Sequence, residues 1–230
     1  MNLLNVSAAW IRPPSAIRVG LEFCFTVLCA DFVSGLLHWF EDAYGREDLP
    51  ISGRWITRKN ILHHRDPRSF TRNNWWQSSW DLACLSLLIV IAAAIAGHLT
   101  WHVWVFAIVG ANANQIHKWA HRTPRENGRF ITALQRWHLL QSPRHHARHH
   151  TNPKDSHYCI LTDSLNPILD GIGFWEGCER VLLFLFGLRR RVDPSVAMAA
   201  GERSDRLRPS DRATRDTRHD TRSLQIAHRE

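Results

Sequence analysis

Fifteen histidines stand in a chain of 230 residues, and their spacing says more than their number. On a helix, residues three and four apart share a face, with Cβ atoms about 5–6 Å apart, so their side chains can reach one ligand together. His38 and Asp42 have this i, i+4 spacing, and so do His117 and His121. His145, His146, His149 and His150 form an H-H-x-x-H-H motif that contains the pairs 145/149, 146/150 and 146/149. His63-His64 is a further doublet, and His138 stands near the four-histidine motif in sequence. Imidazole serves zinc, copper and iron alike. One zinc takes about four ligands, and these motifs offer about twice that, which favours a two-metal site. So imidazole-rich a set, with few carboxylates, differs from the Glu-based ligation of soluble di-iron bundles. A histidine-held pair of irons at a membrane surface is suited to activating dioxygen against an unactivated C–H bond.

Each motif also has a plainer reading. His38 alone is an ordinary interfacial residue at the end of an apolar run, and Arg144 and Arg148 interleave with the H-H-x-x-H-H motif as they would on a basic surface helix. His98 and His102 flank a turn and carry no metal assignment, and His219 and His228 lie in a charged tail. What favours ligation is the convergence of several motifs on one side of the predicted spans. Gly110, Asn114, His117 and His121 line one helical face, so Asn114 is placed to orient a ligand from behind.

The elements that position these residues are helices in an all-α membrane protein of three to four spans. Crossing a hydrocarbon core takes about 20 mostly apolar residues. Candidate spans run from about Ile17 to Phe40, Trp80 to Leu99 and Trp101 to Ala120. A fourth apolar stretch, Val181 to Leu188, crosses only if Ile168 to Glu179 is added, and otherwise lies in the interface. The turn around 98–102 holds no Lys or Arg, whereas the other two connections are rich in both, which places the histidine motifs on the cytoplasmic side. Asp31 sits inside the first span, where an ionisable group is costly and implies either function or a helix-to-helix hydrogen bond. Lys118, Arg122 and Arg144, near the cytoplasmic surface, are candidates for a lipid phosphate. Residues 1–16 read as an N-terminal segment, 17–188 as the membrane domain and 189–230 as a charged tail too poor in apolar residues to fold alone.

Several classes drop out. The net charge of +8 suits nucleic acid, but the basic residues lie between apolar spans and no nucleic-acid-binding signature accompanies them. Five scattered cysteines with no metal spacing argue against a disulfide framework or a Cys-rich zinc site.

DFVSGLLHWFEDAYG from Asp31, HHRDP from His63, NQIHKWAH from Asn114 and LQRWHLLQSPRHHARHHTNPKDSHYCILTDSLN from Leu134, continuing into GFWEGCERVL, together resemble the Kua/CarF lipid desaturase family. Members of that family include the plasmanylethanolamine desaturases that make plasmalogens. The resemblance covers about residues 30 to 185. It implies a di-iron centre, dioxygen as co-substrate, an external electron donor of ferredoxin or cytochrome b5 type, and a phospholipid substrate. It carries the ligand role to His38, Asp42, His63, His64, His117, His121, His145, His146, His149 and His150, with His138 and His157 as weaker candidates. The implied reaction is formation of a vinyl ether from an alkyl-ether phospholipid. The alternatives are an acyl-lipid (phosphatidylglycerol) desaturase, a lipid hydroxylase with the same metals, and a non-enzymatic membrane regulator of a light or carotenoid response.

Overall fold

The computed structural model describes residues 15–50, 53–151 and 153–191. Nearly all of the expected N-terminal segment and charged tail therefore lie outside the described residues. Every regular element among the described residues is helical, as expected. Helix α1 (Ala16–Tyr44) has 29 residues and α3 (Trp75–Ile95) has 21. At 1.5 Å per residue these are about 44 and 32 Å long, against a hydrocarbon core of about 30 Å. Between them lie a wide helical turn, Gly53–Thr57, and the short α2 (Arg58–Arg65). Helix α3 starts on a capping box, in which Asn74 accepts the Gln77 N–H and the Gln77 side chain accepts the Asn74 N–H.

The third expected span does not run unbroken. Asn112 divides it into α4 (Trp101–Ala111) and α5 (Ala113–Ala120). The side-chain amide of Asn112 donates to the Ile108 carbonyl at 2.9 Å, taking the acceptor its own backbone N–H would use, and that N–H bonds Val109 instead. The Trp75 indole donates to the Asn112 amide oxygen and holds the break against α3. Two of the described helices, α1 and α3, are thus long and apolar enough to cross a membrane individually. Leu21, Phe25, Leu87, Leu88, Ile91 and Ile108 on these helices are exposed, as large apolar side chains that meet hydrocarbon are.

The remaining elements are α6 (Pro124–Arg136), interrupted at Gly128 (φ +73°), α7 (Pro143–His149), α8 (Asn166–Gly171) and α9 (Phe174–Phe186). The fourth apolar stretch is broken at Gly173, which adopts φ +65°, leaving α9 about 20 Å long and short of a crossing. Three residues past the expected boundary at 188, the chain still contacts α1. The Arg191 backbone N–H and guanidinium donate to the carbonyls of Ala43, Asp42 and Glu41, capping the C-terminal end of α1 with a cation.

An extended segment, Ser156 to Asp163, threads between these helices. Asp31, fully buried on α1, accepts the Leu161 N–H at 2.8 Å and the Thr162 hydroxyl at 2.6 Å. Trp39, Tyr158, Cys159 and Trp175 pack on one side of the segment, and Ala30, Ala113, Ile116 and Leu161 on the other. Gly35 makes room for it: a Cβ there would stand 2.6 Å from the Cys159 Sγ. Gly35→Ala should therefore lower stability by about 1–3 kcal/mol through overpacking. Thermal unfolding of the purified protein in detergent checks this, and an unchanged midpoint would contradict the close approach.

Candidate metal centre

Histidines from α1, α2, α5 and α7 meet in two adjacent groups. The first holds His63, His117, His121, His146 and His150, and the second His38, Asp42, His64 and His149. The doublets divide because neighbouring positions on a helix point about 100° apart. His63 therefore joins one group and His64 the other, while His146 and His150, one turn apart, join the first and His149 the second. The two groups touch, with the His38 and His117 rings 5.5 Å apart and the His64 and His150 rings 5.1 Å apart.

In the first group the Nε2 atoms converge. His117 lies 2.9 Å from His146, His121 lies 2.8 Å from His146 and 3.1 Å from His63, and His150 lies 3.1 Å from His146. Nitrogens about 2.1 Å from one ion at angles of 90–109° are about 3.0–3.4 Å apart, so the spacing matches one shared ion. In the second group Asp42 is the hub. Its carboxylate oxygens lie 3.3 Å from Nε2 of His64 and 3.3 Å from Nε2 of His149, with His38 at 3.9 Å. The Asn60 amide donates to the same carboxylate.

Backbone carbonyls fix the ring tautomers in the second group. His38 Nδ1 lies 3.1 Å from the Tyr158 carbonyl and His149 Nδ1 lies 2.8 Å from the Ser156 carbonyl. A carbonyl only accepts, so each Nδ1 carries the proton and each Nε2 lone pair faces the group. Among the described residues, His38 Nε2, His149 Nε2 and Asp42 Oδ2 are buried and make no hydrogen bond. Buried polar atoms without partners are rare, and here they point at one another as ligands awaiting a cation do. Burial and the neighbouring imidazoles hold His63 and His146 well below the usual imidazole range. Burial likewise lowers His121 to about 3. All three are neutral at neutral pH, the form that binds metal. The residues present thus fit two ions held by eight imidazoles and one carboxylate.

His145 stands apart from both groups, although the expected ligand set included it. Its ring turns to the other side of α7, where Nε2 meets the Asn166 amide at 3.1 Å and the ring faces His157. His157 bonds Asp170, and the exposed His138 bonds Asp163. Neither reaches the groups. Asn114 donates to the Ser78 carbonyl at 2.6 Å, so it ties α5 to α3 rather than orienting a ligand. Of the candidate headgroup residues, Lys118 is buried and donates to the carbonyls of Asn73 and Asn74, Arg122 donates to the Thr71 carbonyl, and Arg144 is exposed on α7. Sequence reasoning missed Gln141 and Asn166, which hold α7 to the extended segment through the Cys159 carbonyl and, for Asn166, the Cys159 N–H. Amides with backbone partners distant in sequence leave no spacing signal.

A cavity of about 310 Å³ opens beside the groups, between α1, α2, α3 and the α4–α5 rod. His38, His63 and His117 line it at the level of the metal groups, and Ala30, Leu85, Ile89 and Phe106 line its apolar reach. The helical offset from His38 to Ala30 makes that reach about 12 Å.

The sequence profile of the lipid desaturase domain matches residues 27–193. The chain is 35% identical over 202 residues to plasmanylethanolamine desaturase 1 of Mus musculus, covering 83% of this chain and 73% of the relative. It is 34% identical over 181 residues to the plasmanylethanolamine desaturase of Myxococcus xanthus, covering 75% and 63%. It is 32% identical over 186 residues to the chloroplastic fatty acid desaturase 4-like 1 of Arabidopsis thaliana, covering 80% and 61%. The chain thus spans less than two thirds of the bacterial and plant relatives. No solved structure matches it.

Metal analysis of purified variants separates the residues. His38→Ala and His146→Ala should each lose most of the metal of their group, whereas His145→Ala should retain near wild-type content. Equal losses in all three would contradict the division. The lowered histidine pKa values also set an acid limit. The unfolded chain takes up protons below pH ~6.5, and the folded histidines do not until far lower. Metal-free protein should therefore be most stable above that pH and lose stability progressively towards pH 3, read as a falling unfolding midpoint.

Proposed function

The chain belongs to the lipid desaturase family, which makes it a membrane oxidoreductase acting on a lipid, and we propose that it forms the vinyl ether bond of a plasmalogen from an alkyl-ether phospholipid. The observation that carries this reading is the position of the metal groups at the polar end of an otherwise apolar cavity. A chain lying with its tail between α1, α3 and α4 presents to His38, His63 and His117 the carbons nearest its headgroup, not those at mid-chain. Carbons 1 and 2 of an ether-linked chain meet that condition.

The first ion would be held by His63, His117, His121, His146 and His150, and the second by His38, Asp42, His64 and His149. Two irons bound there would supply dioxygen reduction coupled to removal of two hydrogens from adjacent carbons. The reaction balances as –CH2–CH2–O– plus dioxygen, two electrons and two protons giving –CH=CH–O– and two waters. The electrons come from an external carrier protein of ferredoxin or cytochrome b5 type. The chain's own part is to hold and to exclude. Carbonyls of Ser156 and Tyr158 fix the His149 and His38 rings, and the Phe70 ring packs 5.2 Å from the rings of both His63 and His117, shielding them from water. In this reading the α4–α5 rod, 101–120, acts as a third, kinked crossing, and the Lys/Arg-rich connections support a centre on the cytoplasmic side.

The plant relatives, named fatty acid desaturases, favour a second reading, an acyl-lipid desaturase acting near the carboxyl end of its chain. Lipid profiling of cells supplied with an alkyl-ether phospholipid decides between them. Acid-labile vinyl ethers should appear with the wild type and fall at least a hundredfold with His146→Ala. Acid-stable acyl double bonds instead would keep the chemistry and replace the substrate.

A further inference from the structure

A run of oxidisable rings leads away from the second histidine group. Between ring centres, Tyr158 lies 5.2 Å from His149 and 6.0 Å from His38, and Trp175 lies 4.9 Å from Tyr158. Trp39 lies 5.9 Å from Trp175, and Tyr44 lies 5.5 Å from Trp39. Tyr158, Trp175 and Trp39 are buried, and Tyr44 is half-buried at the end of α1. The chain has two tyrosines, and both stand in this run. Phe70, which packs on His63 and His117 of the first group, is by contrast hard to oxidise.

The polar atoms along the run are not alike. Trp175 Nε1–H donates to Asp170 at 3.1 Å, and Trp39 Nε1–H donates to Glu179 at 3.3 Å. A backbone carbonyl would satisfy a buried indole, but a carboxylate can also take its proton. Asp170 is bonded in addition by His157, and Glu179 by Arg190. The tyrosines have no such base. Tyr158 donates to the Lys154 carbonyl and accepts from Arg190, whose guanidinium also stands 6.0 Å from the ring and opposes positive charge there. The Tyr44 hydroxyl is buried without a hydrogen-bond partner among the described residues. An electron hole therefore crosses the tyrosines and settles on the indoles.

We propose that Tyr158, Trp175, Trp39 and Tyr44 form a one-electron relay that discharges the centre when dioxygen has reacted there with no lipid C–H bond in reach. This rests on the reading that the histidine groups hold irons that react with dioxygen. Each pass removes one oxidising equivalent. An electron leaves the Trp175 indole for the centre through Tyr158, and the indole proton moves to Asp170. An electron from Trp39 then refills Trp175, which recovers its proton from Asp170, while the Trp39 proton moves to Glu179. A soluble thiol at the surface refills Trp39 through the Tyr44 ring, and Glu179 returns the indole proton. The thiol gives up one electron and one proton, matching the electron and proton taken up at the centre, and two passes leave one disulfide.

The test uses full-length, iron-loaded protein in detergent without lipid, reduced, exposed to dioxygen and freeze-quenched. Electron paramagnetic resonance should show an organic radical whose hyperfine splitting narrows when the protein carries ring-deuterated tryptophan. Trp175→Phe keeps an aromatic ring in the core and should lower that radical at least fivefold at wild-type iron content. After repeated exposures the same variant should carry at least threefold more oxidised His149, read by peptide mass spectrometry. Trp76→Phe, at an exposed residue outside the run, should change neither. Dioxygen consumed with no tryptophan radical, or a radical unchanged in Trp175→Phe, overturns the relay and leaves the reading of the metal groups standing. No dioxygen consumption overturns that reading and the relay with it. The labelled wild type decides the question even where the variant fails to hold iron.

Discussion

A carboxylate buried in an apolar helix must find hydrogen-bond donors, and Asp31 finds them in a chain segment that itself needs acceptors. Leu161 and Thr162 donate to it, and the Ile160 N–H reaches Ser34 one turn on. The segment is thereby fixed against α1 at a depth where extended backbone is tolerated only if protein satisfies it. The rest of the centre is referenced to this contact. Carbonyls of Ser156 and Tyr158, on the same segment, aim His149 and His38, while Gln141 bonds Cys159 and Leu161 and so sets the start of α7. Gly35 allows the approach, and no larger residue would leave room for the Cys159 side chain.

With the segment placed, the histidine groups follow, yet they are not stable on their own account. Eight imidazoles and a carboxylate packed out of water lose hydration and gain few hydrogen bonds in return. Such a cluster is held by the packing around it until a cation offsets the loss, and ion binding then reinforces the fold that made the site. A lipid substrate adds a second demand, an apolar approach to the histidine groups, and the cavity between α1, α3 and α4 has such a reach at Ala30, Leu85, Ile89 and Phe106.

Much of this was legible in the sequence. The i, i+4 pairs, the H-H-x-x-H-H run and the His63-His64 doublet between them named every residue of both groups, and for the pairs and the run periodicity fixes which side chains share a helical face. It does not say which neighbour that face meets. His145 shares a face with His149 by spacing, but α7 presents it to Asn166 instead. Lys118 reads as a cytoplasmic cation until its ammonium is seen to donate to the Asn73 and Asn74 carbonyls that end the approach to α3, and to the Gln115 side chain. Asn112 breaks the third apolar run through a local side-chain hydrogen bond that hydropathy does not register. Asp31 could be recognised as costly, but the 130 residues separating it from Leu161 hid its purpose. Arg191 lies within the expected charged tail, and its bond to the end of α1 leaves no mark in composition.

The most direct test of this account is the metal content of purified Asp31→Leu protein. Leucine preserves the bulk and apolarity of the helix while leaving the Leu161 N–H and Thr162 hydroxyl without their acceptor. The account predicts a membrane-inserted protein holding about half the wild-type metal, with the loss concentrated in the group of His38, Asp42, His64 and His149. Full metal content at wild-type turnover would show that the segment is held by other means, and that Asp31 does not set the geometry of the centre.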